Sequence, residues 1–200
     1  MNSDIKKGAF ITLGKYPQND TTGKISDPIE WQVLDVQDGK ALLISKCGLD
    51  NVMYHSLNTS MTWERCELRA WLQGEFADKA FNDDEKKLIL KTTNDNPASK
   101  VHGAPGGPCT EDTLFCLSID EVCKYMPEQK DRVCAPSAYT KAKGAFTHPE
   151  NGHCWWWLRN PGYYPSDAAG INYYGYLHES GDNITSPSDA VRPAMWISIG

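Results

Sequence analysis

Long apolar runs are missing from this sequence. No segment reaches the roughly 18 apolar residues that a membrane span needs. The opening stretch, Met1-Asn-Ser-Asp-Ile-Lys-Lys-Gly8, lacks the apolar centre of a secretory signal. The expectation is a chain with no signal peptide and no membrane span. It would reside in the cytoplasm, or on a virion or cell surface reached by a non-standard route. Positive charge is also scarce: 20 Lys and Arg stand against 26 Asp and Glu, a formal net charge of −6. Nucleic-acid backbones are held by basic stripes, and none is visible, so nucleic acid is not expected as the main partner. Lys86, Lys87 and Lys91 read instead as the solvated face of a helix. Gly103-Ala-Pro-Gly-Gly107 does not end in Gly-Lys-Ser/Thr, which argues against a phosphate-cradling loop.

A Cys-x-x-Cys pair is absent too. The seven cysteines are Cys47, Cys66, Cys109, Cys116, Cys123, Cys134 and Cys154. An odd count without an export signal favours reduced thiols over a disulfide framework. Cys109, Cys116 and Cys123 recur at a fixed spacing but fall on a loop, a strand and a helix. They are expected as small buried hydrophobes rather than zinc ligands. His148, His153 and Cys154 lie close in sequence, yet residues 153 and 154 of a strand point to opposite faces, so a thiol–imidazole nucleophile is not expected there.

Aromatics are plentiful. Seven Trp, nine Tyr and five Phe supply large pieces of core to a chain that is otherwise only 40% apolar. Its 200 residues fit one domain able to bury roughly 70% of its unfolded surface. The chain opens with strands at Ala9–Leu13, Pro28–Gln37 and Lys40–Ser45. Asp38-Gly39 between the last two is a strong hairpin signal. Ile29, Trp31, Val33 and Asp35 share one strand face, with Trp31 as core anchor.

Thr62 is placed to cap a helix from Trp63 to about Gln73 that Gly74 would end. Asn82 with Glu85 reads as a capping box opening a helix through about Lys91, and Ser118 with Glu121 opens another over Ile119–Met126. Thr92–Thr110 reads as a loop or edge excursion, followed by a strand at Thr113–Leu117. Pro136 suits the first turn of a helix over Ser137–Lys143. Short strands follow at Cys154–Arg159, Ala168–Asn172, Tyr176–His178 and Ala190–Ser198. Antiparallel strands at both ends of the chain with helices in the middle describe a single α+β domain over residues 1–200.

Pro28-Ile-Glu-Trp31, Ala41-Leu-Leu-Ile-Ser45, Thr62-Trp63, Leu68-Arg-Ala-Trp-Leu72, Ala80-Phe81 with Glu85, Leu114-Phe-Cys-Leu-Ser118, Trp156-Trp-Leu-Arg-Asn-Pro-Gly162 and Val191-Arg-Pro-Ala194 occur in that order. Together they resemble an uncharacterised bacterial domain family, common in gut bacteria and their prophages. Its signature is Trp-Trp-Leu-Arg-Ser-Pro-Gly followed by a terminal Gly-Val-Arg-Pro-Ala strand. Asn160 stands here in place of Ser, and Ala190 precedes Val191 in place of Gly. More distantly, the family resembles C-type-lectin-like and formylglycine-generating-enzyme-like domains. The resemblance implies a C-type-lectin-like architecture whose N-terminal and closing strands share a sheet. No activity comes with it, and the reactive C-terminal cysteines of the formylglycine-generating enzymes have no counterpart after Cys154.

Trp155-Trp156-Trp157 on a strand must alternate between faces, which sends some rings into the core and leaves a sugar-stacking or partner-facing role open for the rest. Arg159 and Arg192 read as structural, bridging loop carbonyls or a carboxylate. The segment Tyr163–Asp189 carries Tyr163, Tyr164, Tyr173, Tyr174 and Tyr176 among polar residues including Asn172, His178 and Asp182. Tyrosine gives contact area at low entropic cost and short polar side chains give adaptable hydrogen bonds, the palette of antibody paratopes.

The expectation is therefore a non-enzymatic module that binds a protein or a glycan through Tyr163, Tyr164, Asn172, Tyr173, Tyr174, Tyr176, His178 and Asp182. This surface is a candidate for a retroelement-diversified variable region. Neither a catalytic residue nor a cofactor is assigned; calcium at Asp182 and Asp189 is the one metal site left open. A hydrolase or modifying enzyme, and a structural protein of a phage particle, are the alternatives.

Overall fold

The computed structural model describes residues 5–200. The Asp38-Gly39 signal is realised as a tight hairpin. Both residues take positive φ, 49° and 70°, which suits glycine and is tolerated by aspartate. The turn joins β2 (Asp27–Gln37) to β3 (Lys40–Ser45), and β1 (Phe10–Tyr16) pairs with the outer edge of β2. A register shift between Val33 and Asp35 turns Leu34 inward as well, so the buried set of β2 is Ile29, Trp31, Val33 and Leu34, with Asp35 only half-buried. The Trp31 indole donates to the Leu13 carbonyl at 2.8 Å, which fixes the ring in the core.

After the short β4 (Asp50–Asn51) the chain turns helical, and here the expected single helix is a composite. A 3-10 turn at Trp63–Arg65 leads to α1 (Glu67–Trp71), a π turn (Leu72–Phe76) and α2 (Ala77–Ala80). Thr62 makes no side-chain cap; the Cys66 Sγ accepts from the Arg69 amide instead. Gly74 does not stop the helix. Leu68, Leu72, Phe76 and Ala80 recur every fourth residue and are all buried, and that stripe carries the helix through the glycine. The Asn82–Glu85 capping box is present at the start of α3 (Asp83–Leu88). That helix ends three residues sooner than expected, because β5 (Ile89–Leu90) leaves it to pair with the closing strand.

The Thr92–Thr110 excursion is framed by a small hairpin of β6 (Thr92–Asn94) and β7 (Thr110–Asp112). The strand expected at Thr113–Leu117 is instead a buried extended segment joined to Ala194 by an isolated bridge at Phe115. Ser118 and Glu121 form their capping box at the start of α4 (Ile119–Tyr125). The short helix α5 (Gln129–Arg132) was not anticipated, and α6 (Ala138–Ala142) is capped by Ser137.

The remaining strands are β8 (Trp156–Pro161), β9 (Asp167–Ile171), β10 (Leu177–Asn183), β11 (Ala190–Val191) and β12 (Ala194–Ser198). The single closing strand expected at Ala190–Ser198 is thus broken at Arg192-Pro193. Proline has no amide to donate, and the kink sends the two halves into different sheets. One sheet has the order β1-β2-β3-β12-β5, and the other β10-β9-β8-β11-β4. The N-terminal and closing strands therefore do share a sheet, as expected of β1 and β12, while β11 does not join them. A single apolar cluster runs through both sheets and includes Trp31, Trp63, Phe115, Trp156 and Trp157. The architecture is α+β, with mostly strands.

Trp156 and Trp157 are both fully buried and Trp155 is only partly so; two rings of the triplet thus serve the core, although Trp157 does not share the environment of Trp155 that strict alternation implies. Strand β8 lies in the middle of its sheet with every residue covered, so both of its faces are core. Arg159 is 4% exposed and donates to the Cys116 carbonyl, to the Asp95 carbonyl and to Glu121. Arg192 is equally buried, donates to the Ser45 carbonyl at 2.9 Å and lies over the Trp156 ring. Both arginines are spent on internal partners. Asn160, standing where the family signature has Ser, accepts from the Ile119 amide at the start of α4.

Candidate functional site

Strand β9 is flanked by the two hairpin turns that carry the expected ligand residues. Five residues of strand span roughly 13 Å, so Tyr163 and Tyr164 sit at one end of β9 while Asn172, Tyr173, Tyr174 and Tyr176 sit at the other. The proposed contact set is therefore two separate patches. Tyr163 and Tyr164 are 49% and 61% exposed and pack on each other and on His102. The second patch is richer.

Its turn is built by Asn172, whose side chain accepts from the amides of Tyr174 and Tyr176 at 2.9 and 3.0 Å. Asn172 is thereby committed to shaping the hairpin. Gly175 follows at φ 83°, where a Cβ would lie 2.2 Å from the Gln129 carbonyl oxygen, so only glycine fits. The Tyr173 carbonyl is clamped by the Asn151 amide at 3.1 Å and lies 3.2 Å from the His153 Nδ1. This turns the Tyr173 ring onto His148, stacked at 4.2 Å, and beside Phe146 and Trp155. Tyr174 and Tyr176 stay exposed.

The strand that follows brings in the polar residues. A bulge makes five residues of β10, His178 to Asp182, lie opposite only three of β9, Gly170 to Ala168. His178 and Asp182 are therefore drawn close along one face. Strand β11 lies parallel to β8, and the Ala190 amide donates to the Trp155 carbonyl, so the preceding residue, Asp189, comes beside them. The Phe146 amide donates to the Ser188 carbonyl and ties the third segment on. The result is an open cleft of about 350 Å³ lined by Phe146, Trp155, His178, Asp182 and Ser188.

Asp189 lies beneath this cleft, 2% exposed. Its carboxylate accepts from the Ser186 hydroxyl at 2.9 Å, and the Asp182 carboxylate is close enough to act on its charge. Burial pushes its pKa up to about 7; the Ser186 hydroxyl opposes the rise, and the neighbouring Asp182 carboxylate adds to it. Asp189 thus keeps its proton up to about neutral pH. Nδ1 of His178 and Nδ1 of His148 are both buried without a protein partner. Among the described residues, no group of three or more His, Cys, Asp and Glu side chains is arranged to hold a metal ion.

Of the residues expected at the site, Tyr173, His178 and Asp182 converge, Tyr174 and Tyr176 stand at the rim of their turn, and Tyr163 and Tyr164 lie elsewhere. Phe146, Trp155 and Ser188 complete the cleft, with His148 stacked on Tyr173 and Asp189 buried beside Asp182. Phe146 and His148 carried no signal in their own segment, because only the long-range pairing of β11 with β8 assembles them.

The cysteines are all free. Cys109 and Cys123 are exposed, contrary to the expectation of buried hydrophobes, whereas Cys116 is buried. Cys154 and Cys134 are neighbours in the core, the Cys154 thiol donating to the Cys134 carbonyl at 3.3 Å; the proximity of Cys154, assisted by Arg192, holds the Cys134 thiol below its ordinary range.

A family model described as a domain of unknown function (DUF6273) matches residues 38–199. No curated protein and no solved structure matches the chain.

Proposed function

The chain belongs to the DUF6273 family, and we propose that it is a binding module for a protein ligand, one side chain of which enters the cleft between Trp155, Phe146, His178 and Asp182. The observation that carries this reading is the shape of the aromatic wall. Trp155 meets Tyr173 at 78° and His178 at 69°. Rings at such angles form a box rather than a flat platform, and a box suits the compact head of a side chain better than the broad face of a sugar. Exposed Tyr174 and Tyr176 at the rim add the contact area that a protein surface can cover. A C-type-lectin-like architecture belongs to this reading, supported by the shared sheet of β1 and β12 and by a ligand surface placed on the turns of the second sheet.

Selection of a random peptide library against the protein tests the reading. Selected peptides should lose at least about tenfold in affinity on Trp155→Ala, as expected for a hot-spot aromatic, with the thermal midpoint shifted by no more than a few degrees. Peptides whose binding ignores Trp155, or no enrichment at all, would contradict it. One observation favours a second reading, a hydrolase: Asp189, buried and holding its proton up to about pH 7 near the cleft that His178 lines, is a usable acid–base group. Turnover of chromogenic ester, peptide or glycoside substrates that disappears in Asp189→Asn would establish that reading instead.

A further inference from the structure

Taking the cleft as the ligand seat, we propose that its occupant is an organic cation, an alkylammonium or guanidinium group of the kind carried by Lys and Arg side chains. It would be held between the Asp182–Asp189 carboxyl pair and the rings of Trp155 and Phe146.

Three features converge on a cation. The first is charge left unanswered. Among the described residues, no Lys or Arg forms an ion pair with Asp182 or Asp189. Nearby cations are engaged elsewhere: Lys143 pairs with Asp50, Arg132 donates to the Met126 and Pro127 carbonyls, and Arg192 donates to Ser45. Asp182 is exposed to solvent, but Asp189 is buried beside it without a counter-charge; ionising Asp189 is costly, and a ligand cation relieves that cost.

The second feature is the wall. Aromatic faces carry negative potential, and cations seat over them within about 6 Å of the ring centroid. The third is the hydrogen-bonding inventory. Asp182 and Asp189 accept, and the unpartnered Nδ1 of His178 can accept in its neutral form. An ammonium or guanidinium is donor-only, so it matches an acceptor-rich floor that would leave a sugar's own oxygens short of donors.

Binding is then coupled to protons. Asp189 carries its proton up to about pH 7 because burial and Asp182 disfavour its charge. An incoming cation favours the ionised pair and expels that proton, so affinity rises with pH through this range. The titratable groups that line the cleft are His178 and Asp182, both from β10. Glu179, on the other side of β10, faces Lys100 instead.

The test is calorimetric titration with Nα-acetyl-lysine amide and Nα-acetyl-arginine amide, using Nα,Nε-diacetyl-lysine amide as the neutral counterpart. Runs in two buffers of different ionisation enthalpy count the protons released. Expected are binding of one or both cationic amides, at least tenfold weaker binding of the neutral amide, proton release near pH 7, and at least a tenfold loss in Asp182→Asn. A preference between the two cations identifies lysine-type or arginine-type ligands. Equal binding of the neutral amide with retained dependence on Trp155 would overturn the cation and leave the binding-module reading standing. No binding of either cation at about 10 mM, well above the range of even weak single-side-chain sites, would also overturn it. Library peptides that ignore Trp155 would remove both.

Discussion

Replacing Asp189 by Asn should make the protein more stable at pH 8, an unusual outcome for a change at a buried polar residue. Asp189 is 2% exposed and its pKa is raised from 3.8 to about 7. Between those values the folded state keeps a proton that the unfolded state has released. The associated stability is therefore fully present below about pH 4 and is lost as pH rises through about 7. At about 1.4 kcal/mol per pH unit the rise corresponds to about 4 kcal/mol. Asparagine imitates the protonated carboxyl in shape and charge but accepts less well from Ser186, which returns about 1 kcal/mol. The variant should thus gain roughly 2–3 kcal/mol over the natural chain at pH 8 and lie within about 1 kcal/mol of it at pH 5.

Urea unfolding followed by tryptophan fluorescence at both pH values measures this, with the slope on urea unchanged between the two chains. The comparison between chains matters because Asp20 and Glu67, whose pKa values are lowered by hydrogen bonds, stabilise in the opposite direction as pH rises, and their effects cancel in the difference. Equal destabilisation of the variant at pH 5 and pH 8 would refute the raised pKa of Asp189. The stabilised variant should also have lost its ligand, since a carboxyl held at a cost is retained for use.

Arg159→Met removes a buried cation from Glu121 and from the Cys116 and Asp95 carbonyls, and should cost about 3 kcal/mol or more in the same unfolding assay. Tyr163→Ala combined with Tyr164→Ala should leave affinity for cleft-selected peptides within about twofold and stability within about 0.5 kcal/mol, because these exposed rings lie at the far end of β9. Iodoacetamide applied to the native protein should label Cys109 and Cys123 and spare Cys66, Cys116, Cys134 and Cys154 until urea is added, as read by peptide mass spectrometry.

The features legible in the sequence were those settled by a few neighbouring residues. Asp38-Gly39 dictates its hairpin locally, and Asn82–Glu85 and Ser118–Glu121 cap their helices with side chains three residues apart. Signals failed where packing outvoted them. Gly74 reads as a stop, yet the buried stripe from Leu68 to Ala80 continues past it through a π turn. The alternation of residues 190–198 reads as one strand, yet Pro193 withholds an amide and the two halves serve different sheets. The site divides in the same way. Asn172 and Gly175 announce a turn carrying tyrosines, and that turn is present. Which tyrosines can meet depends on the length of β9, and the joining of Phe146, Trp155 and Asp189 depends on β11 lying beside β8; no local pattern encodes either.

The indole resonances offer the most direct view of the cleft. Trp31, Trp63, Trp156 and Trp157 each donate Nε1–H to a buried internal acceptor, so their signals should stand still when a ligand enters from solvent. Trp155 lines the cleft. In two-dimensional nitrogen–proton spectra of the labelled protein, titration with a library-selected peptide should shift the Trp155 indole signal, assigned through Trp155→Phe, together with the His178 and Asp182 backbone amides. Shifts confined to Tyr163, Tyr164 and the His102 loop, with Trp155 unmoved, would contradict the cleft as the ligand seat.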